Sequence, residues 1–234
     1  MKNFVIGLVS MFIVITGCNE PDEVDFFREI SYNFNNNIQG WQVMFSDYPV
    51  GEEEFYELES GFVKLPLPLD TTLNAVMISG NNHSDDLFSY MYVPLTGLAP
   101  HTTYQATFIV HLASNVATNS VGIGGSPDLT VGVGALDTVP ANIIDESNYY
   151  RPNFEVRLQS GESNNIMQAV GTLGVTDTTT VYTPITRNNL SQPMPVTSNG
   201  DGMLYLLVGW DSGFEGITKI YIKTVIVRLE LVSK

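Results

Sequence analysis

Apolar and polar residues alternate one by one over long stretches of this chain. In TYQATFIVHLAS, Tyr104, Ala106, Phe108, Val110 and Leu112 fall on one face, and Gln105, Thr107, Ile109 and His111 on the other. That period of two marks a half-buried strand. In MLYLLVGW, Leu204, Leu206, Val208 and Trp210 alternate with Met203, Tyr205, Leu207 and Gly209. The C-terminal TKIYIKTVIVRLELV is β-branched almost throughout and sets Ile220, Ile222 and Thr224 against Tyr221, Lys223 and Val225. β-Branched side chains pack well on a pleated surface. Helical periodicity is hard to find from Ile30 onward.

Turn signals separate these runs: Asn35-Asn36-Asn37, Ser60-Gly61, Gly97 with Pro100, Gly124-Gly125-Ser126-Pro127 and Asn199-Gly200-Asp201-Gly202. The last reads as a hairpin turn, because Asn and Gly tolerate the positive φ of primed turns. Runs and turns together predict about ten to twelve strands. Twelve prolines and twenty glycines spread along the chain suit many short loops. The expectation is all-β: one antiparallel β-sandwich over residues 29–234, with long loops near 66–74 and 135–150.

The N-terminus departs from this pattern. Lys2 precedes an apolar run, Phe4 to Ile15, too short for a comfortable membrane span. It ends in Ile15-Thr16-Gly17-Cys18, which resembles a bacterial lipobox. Residues 1–17 then form a lipoprotein signal peptide, and Cys18 is the lipidation site. Cys18 is also the sole cysteine, so lipidation leaves no thiol for disulfides, metal ligation or nucleophilic catalysis. Glu20, Asp22, Glu23 and Asp25 follow in an acidic tether spanning 18–28. This cluster resembles the surface-export signal of some Gram-negative lipoproteins, and a plain solvated spacer has the same composition. The expected location is the cell envelope, anchored at the outer membrane, with surface exposure on the export reading of the cluster and none implied on the spacer reading.

Composition narrows the partners. A formal charge of −15 and the lack of any Lys/Arg cluster exclude nucleic acid. The same charge disfavours anionic polysaccharides and anionic lipid. Neutral ligands and cations remain.

Two resemblances follow from the order of elements. FNNNIQGWQV, Phe34 to Val43, opens the domain, and ITKIYIKTVIVRLEL, Ile217 to Leu231, closes it. This frame resembles jelly-roll carbohydrate-binding modules of galactose-binding-like fold. The resemblance implies a carbohydrate ligand and a structural calcium ion. Lys223 stands where such modules often place an acidic residue serving that calcium, which puts the family's usual site in doubt. FSDYPVGEEEFYELESG, SGNNHSDDLF, VGIGGSP and LLVGWDSGFEG resemble blocks of an uncharacterised family of secreted bacterial proteins, which implies a shared design and no particular chemistry.

Candidate chemistry concentrates in three polar segments. If 81–85 run extended, Asn81, His83 and Asp85 point one way and Asn82, Ser84 and Asp86 the other, with about 7 Å per two-residue step. Such a row suits a cation or sugar hydroxyls. His83 fits calcium poorly, and no second histidine near in sequence supports zinc. Equally, Asn and Asp can bond nearby backbone and simply brace a loop. The second segment carries Asp47 and Glu52 to Glu54; the third carries Asp211 at a strand exit, with Glu215 four residues on. Trp210 abuts Asp211, while Trp41 reads as core. Tyr48, Tyr90, Tyr92, Tyr149 and Tyr150 are further stacking candidates, the last two beside Arg151.

These readings favour a non-catalytic, lipid-anchored module that binds a neutral glycan or similar extracellular ligand. The expected site is Asp47, Asn81, His83, Asp85, Asp86, Trp210, Asp211 and Glu215, with calcium as the candidate structural cation. Two alternatives stay open. One is a structural or adhesion protein whose polar loops only brace the fold. The other is a glycoside hydrolase using two of the carboxylates. No Gly-x-Ser-x-Gly, His-Glu-x-x-His or P-loop motif occurs.

Overall fold

A computed structural model describes residues 27–84, 86–175 and 180–232. The signal peptide, Cys18, the acidic cluster of the tether and Asp85 lie outside the described residues. β1 (Phe27–Asn33) begins inside the segment predicted as tether, pairing Phe27 with Glu230 and Arg28 with Leu229.

Every named strand pairing is antiparallel. One large sheet runs in the order β12 (Thr183–Asn188), β7 (Thr103–Ser114), β15 (Ile217–Leu231), β5 (Asn74–Asn81) and β4 (Glu59–Lys64). β1 also pairs with β15, and β13 (Met194–Thr197) with β7. The facing sheet runs β11 (Met167–Thr172), β8 (Thr130–Leu136), β14 (Leu204–Ser212), β6 (Leu87–Leu95) and β2 (Gln42–Ser46). β3 (Tyr48–Pro49), β10 (Tyr149–Pro152) and β9 (Asn142–Ile144) form a small third sheet. The chain passes from β5 to β6, β7 and β8 by changing sheet each time, the jelly-roll path of a β-sandwich. No α-helix occurs among the described residues.

The alternating runs bury their apolar faces as expected. Tyr104, Ala106, Phe108, Val110 and Leu112 of β7 meet Leu204, Leu206, Val208 and Trp210 of β14 in one core. Trp41 closes this core edge-on against Tyr32 and Phe34. Trp210 is 1% exposed within it, so it belongs to the core and not to a ligand site. Burying an indole of this size contributes on the order of a few kcal/mol.

Three expectations need correction. β15 shifts register between Ile222 and Thr224, and this bulge brings Val225, Val227 and Leu229 onto the core face of Ile220 and Ile222. Thr224 therefore leaves the face predicted for it. The Asn199–Gly202 turn joins β13 to β14, which belong to different sheets, so it is a crossover and not a hairpin. Its shape comes from Asn199 Oδ1, which accepts from the backbone N–H of Asp201 and Met203, and from Gly202 at φ 67. Finally, fifteen strands are described, more than the ten to twelve expected. Several are too short to show alternation.

The β6/β14/β8 sheet is apolar on its outer face as well. Phe88, Tyr90, Tyr92, Leu207 and Met167 pack there under Phe154 and Leu158 of the segment after β10. Leu158 begins a short 3-10 turn, Leu158–Ser160, that lies directly on Gly132 of β8. A Cβ at residue 132 would come within 2.4 Å of Leu158 Cδ1. Glycine at 132 thus lets the turn descend onto the sheet, beside Asp211.

Candidate functional site

Asp47, Asp86 and Asp211 converge at one end of the sandwich, each offering a carboxylate oxygen within 4.8 Å of the others. Different elements supply each. Asp47 sits between β2 and β3 at φ 65, a left-handed conformation that Asp tolerates better than most residues. Its N–H donates to Tyr150 O at 2.6 Å, and Asn142 Nδ2 donates to Phe45 O, which ties the small sheet to β2. Asp86 immediately precedes β6. Asp211 lies near the end of β14, and its alternation with Trp210 turns it outward, toward the turn held on Gly132.

Arg151 of β10 binds this cluster together. Its Nη1 donates to Asp47 Oδ1 at 2.7 Å and to Asp86 Oδ2 at 3.0 Å, and its Nε donates to Asp145 Oδ2 at 2.9 Å. Tyr149 lies under the guanidinium, 5.0 Å from ring centroid to Cζ. Asp145 Oδ1 in turn accepts from the N–H groups of Ser147 and Tyr149. One guanidinium therefore serves three carboxylates, with Asp211 as a fourth in the same cluster.

The electrostatics follow from burial. Asp211 is 6% exposed. Burial, then the charges of Asp86 and Asp47, push its carboxyl up to about 7, against backbone N–H groups of Gln159 and Ser212 that favour the ionised form. Asp211 Oδ1 is buried with no hydrogen-bond partner, one of two such side-chain atoms among the described residues, the other being Trp41 Nε1. Burial also raises Asp47, outweighing Arg151, whose charge is shared. Asp145 is held below the usual carboxylate range by the Tyr149 N–H first and Arg151 second. Burial works against the Arg151 charge, but the hydrogen bonds of Asp47 and Asp145 hold the guanidinium protonated.

A cavity of about 320 Å³ opens at this point. Asp47, Asp86 and Asp211 line it together with Pro152, Val156, Arg157, Gln159 and Ser160. A neighbouring cavity of about 200 Å³ reaches Asp211 from the side of Gly124, Gly125 and Phe214. There the GIGGSP and WDSGFEG segments meet, with Glu215 N–H donating to Ile123 O at 2.8 Å.

Of the eight expected ligand residues, the structure assembles Asp47, Asp86 and Asp211. Asp85 lies outside the described residues. Over the described residues 81–84 the predicted extended row does not form, because β5 ends at Asn81 and Asn82 turns inward. Asn81 Nδ2 donates to Glu57 Oε1 at 2.8 Å, away from the cluster. His83 stacks on Phe55 with ring centroids 4.2 Å apart and meets Tyr56 edge-on. Glu215 is exposed, and only its backbone N–H is engaged in the turn. Trp210 is core.

The stretch SGNNHSDDLF divides its labour. Asn82 Nδ2 donates to Ser212 O, Asn82 Oδ1 accepts from Ser84 N–H, and Ser84 Oγ donates to Asp86 O. These bonds brace the loop, and the brace delivers Asp86 to the cluster. Tyr48, Tyr90 and Tyr92 are buried, and Tyr149 and Tyr150 half-buried. The aromatic surface at this end is Phe55, 58% exposed beneath His83. Sequence reasoning missed Phe55, and it missed Arg151 and Asp145 as partners of the cluster.

No family model and no curated protein matches the chain. Solved structures that resemble it include one from the carbohydrate-binding modules of the β-sandwich superfamily, at 8% identity and TM-score 0.38 over 82% of this chain and 58% of that one. The chain therefore spans a little over half of that protein. Another is a putative sugar-binding protein from Bacteroides thetaiotaomicron, at 9% identity and TM-score 0.41 over 83% of this chain and 90% of that one. A third is the family 11 carbohydrate-binding module of a cellulosomal cellulase from Clostridium thermocellum, at 9% identity and TM-score 0.40 over 88% and 96%. At these identities the likeness concerns the β-sandwich fold alone.

Proposed function

We propose that this protein is a non-catalytic, lipid-anchored binding module of the cell envelope that takes a neutral carbohydrate at the loop end around Asp47, Asp86 and Asp211. One observation carries the reading: a polar cleft of about 320 Å³ opens where these carboxylates converge, and the same loop end presents the exposed Phe55–His83 stack. Tyr56 connects the two, packing on His83 and hydrogen-bonding Ser84, two residues before Asp86. Sugars are gripped by this combination: a ring face for the apolar side of a pyranose, and carboxylates for its hydroxyls. The negative field of the cleft and the overall charge of −15 select against anionic sugars. The anchor at Cys18 and the outward-facing location complete the proposal from the lipobox resemblance.

One observation favours a second reading. An aspartate raised to about 7, next to two further carboxylates in a cleft, has the acid–base poise of a glycoside hydrolase. Against it, Arg151 Nη1 holds Asp47 Oδ1 and Asp86 Oδ2, the groups that would serve as nucleophile or base. Neutral polysaccharide arrays and a hydrolysis assay on the full chain separate the readings. Binding without turnover is expected. Failure to bind any neutral glycan overturns the first reading, and turnover lost in Asp211→Asn establishes the second.

A further inference from the structure

We infer that the Asp47–Asp86–Asp211 cleft is a binding site for a hard divalent cation, calcium by its donor set. Acidic clusters are common on protein surfaces and prove little alone. This one contains a second feature. Asp211 is 6% exposed, lines the cavity, and keeps Oδ1 without a hydrogen-bond partner. A buried carboxylate oxygen left unpaired is costly, and native proteins seldom leave one so.

Geometry and charge agree with a cation at that place. The three carboxylate oxygens lie within 4.8 Å of one another. Two oxygens on opposite sides of a calcium ion are separated by about 4.6–5.2 Å, twice the ordinary calcium–oxygen distance. The donors are all oxygen, since His83 turns away onto Phe55, and this favours calcium over zinc. Arg151 faces the cluster but is shared among Asp47, Asp86 and Asp145, leaving the group strongly negative. Arg157, the other cation at the cavity, is engaged by Glu155 at 2.6 Å. A cavity of about 320 Å³ also has room for the waters that complete a shell of roughly six to eight ligands. The position is distinct from that of Lys223, which lies on β15 in the opposite sheet.

The inference does not depend on the carbohydrate reading, and its test contains no sugar. The full chain is stripped with chelator, then titrated with calcium chloride by calorimetry and by thermal unfolding at neutral to mildly alkaline pH. A single saturable site is expected, with the unfolding temperature raised by about 5–10 °C at hundredfold excess over the dissociation constant. Asp211→Asn and the more exposed Asp86→Asn should each abolish both responses, and Glu215→Gln should retain them. Asp211→Asn is close to isosteric, so a cooperative transition in chelator shows that it still folds. No heat and no temperature shift up to about 10 mM calcium, above the range of weak extracellular sites, overturns the inference. So does a wild-type response that survives in both Asp→Asn variants, and so does an Asp211 that is satisfied by a proton alone, seen as wild type and Asp211→Asn behaving alike.

Discussion

The side-chain amide of Asn82 donates a 2.7 Å hydrogen bond to the backbone carbonyl of Ser212, across 130 residues of chain. Ser212 follows Asp211, so this one bond clamps the β5–β6 loop to the strand that carries the buried carboxylate. Asn82 Oδ1 meanwhile accepts from Ser84 N–H. Asn82→Ala removes both bonds from a site that is 1% exposed. It should lower stability by about 1–3 kcal/mol, read as a shift of the urea midpoint, and it should also weaken ligand binding because Asp86 loses its support. An unchanged midpoint would mean that the clamp has no energetic role.

Gly132→Ala tests how the cleft is walled. The added methyl meets Leu158 Cδ1 at 2.4 Å and Cδ2 at 2.7 Å, and crowding of this kind costs about 1–3 kcal/mol. Because Leu158 carries Gln159 to Asp211, the variant should disturb the cleft as well as the core. Adding Leu158→Ala should restore part of the loss, a coupling visible in a double-mutant cycle. Strict additivity would show that the two residues do not press on each other.

Asp211 gives the fold a pH dependence of known sign. Its folded-state value of about 7 lies above the roughly 3.9 of an unfolded aspartate. Between these limits the folded state holds a proton that the unfolded state releases, so this group's contribution falls as pH rises and levels off above about 7. The span amounts to roughly 4 kcal/mol. In chelator, Asp211→Asn should therefore exceed wild type in stability at alkaline pH and converge toward it in acid. Asp145, held low by Tyr149 N–H and Arg151, loses stability in the opposite direction as pH falls, so the difference between variant and wild type is the quantity to follow. Parallel pH profiles would contradict the burial assigned to Asp211.

Arg151→Ala removes three charge-assisted hydrogen bonds at once. The guanidinium is one-third exposed, so screening reduces the loss to about 1–3 kcal/mol. The small sheet of β3, β10 and β9 should loosen first. Faster amide exchange at Asp47, whose N–H bonds Tyr150 O, is the expected sign, and unchanged exchange there would count against it.

What was legible in the sequence follows a physical rule. β7 could be read because one face meets solvent and the other the core, so composition alternates with the pleat. β14 is buried on both faces, and there the alternation Leu204, Leu206, Val208, Trp210 located the strand and set Trp210 on its core face, while adjacency to Asp211 suggested a ligand role that burial removes. The bulge at Ile222–Thr224 was hidden because β-branched residues stand on both faces. Among the site residues, Asp47, Asp86 and Asp211 were legible as acids at turns and strand ends. Asn81, His83 and Glu215 are polar residues in the same kinds of segment, but Asn81 bonds Glu57, His83 stacks on Phe55 and Glu215 faces outward. Arg151 stood in view beside its tyrosines, but its partners lie 104 and 65 positions away. No local pattern announces such a pair.

The most direct measurement is calorimetric titration of the best neutral oligosaccharide from an array into wild type, Asp86→Ala and His111→Ala. His111 lines a separate cavity of about 280 Å³ on the large sheet, far from the acidic cluster in the sheet order. Asp86→Ala is expected to weaken binding by about tenfold or more, a loss of roughly 1.4 kcal/mol, with His111→Ala unchanged. Binding that ignores Asp86 and fails in His111→Ala, or no binding by the wild type at all, would contradict it.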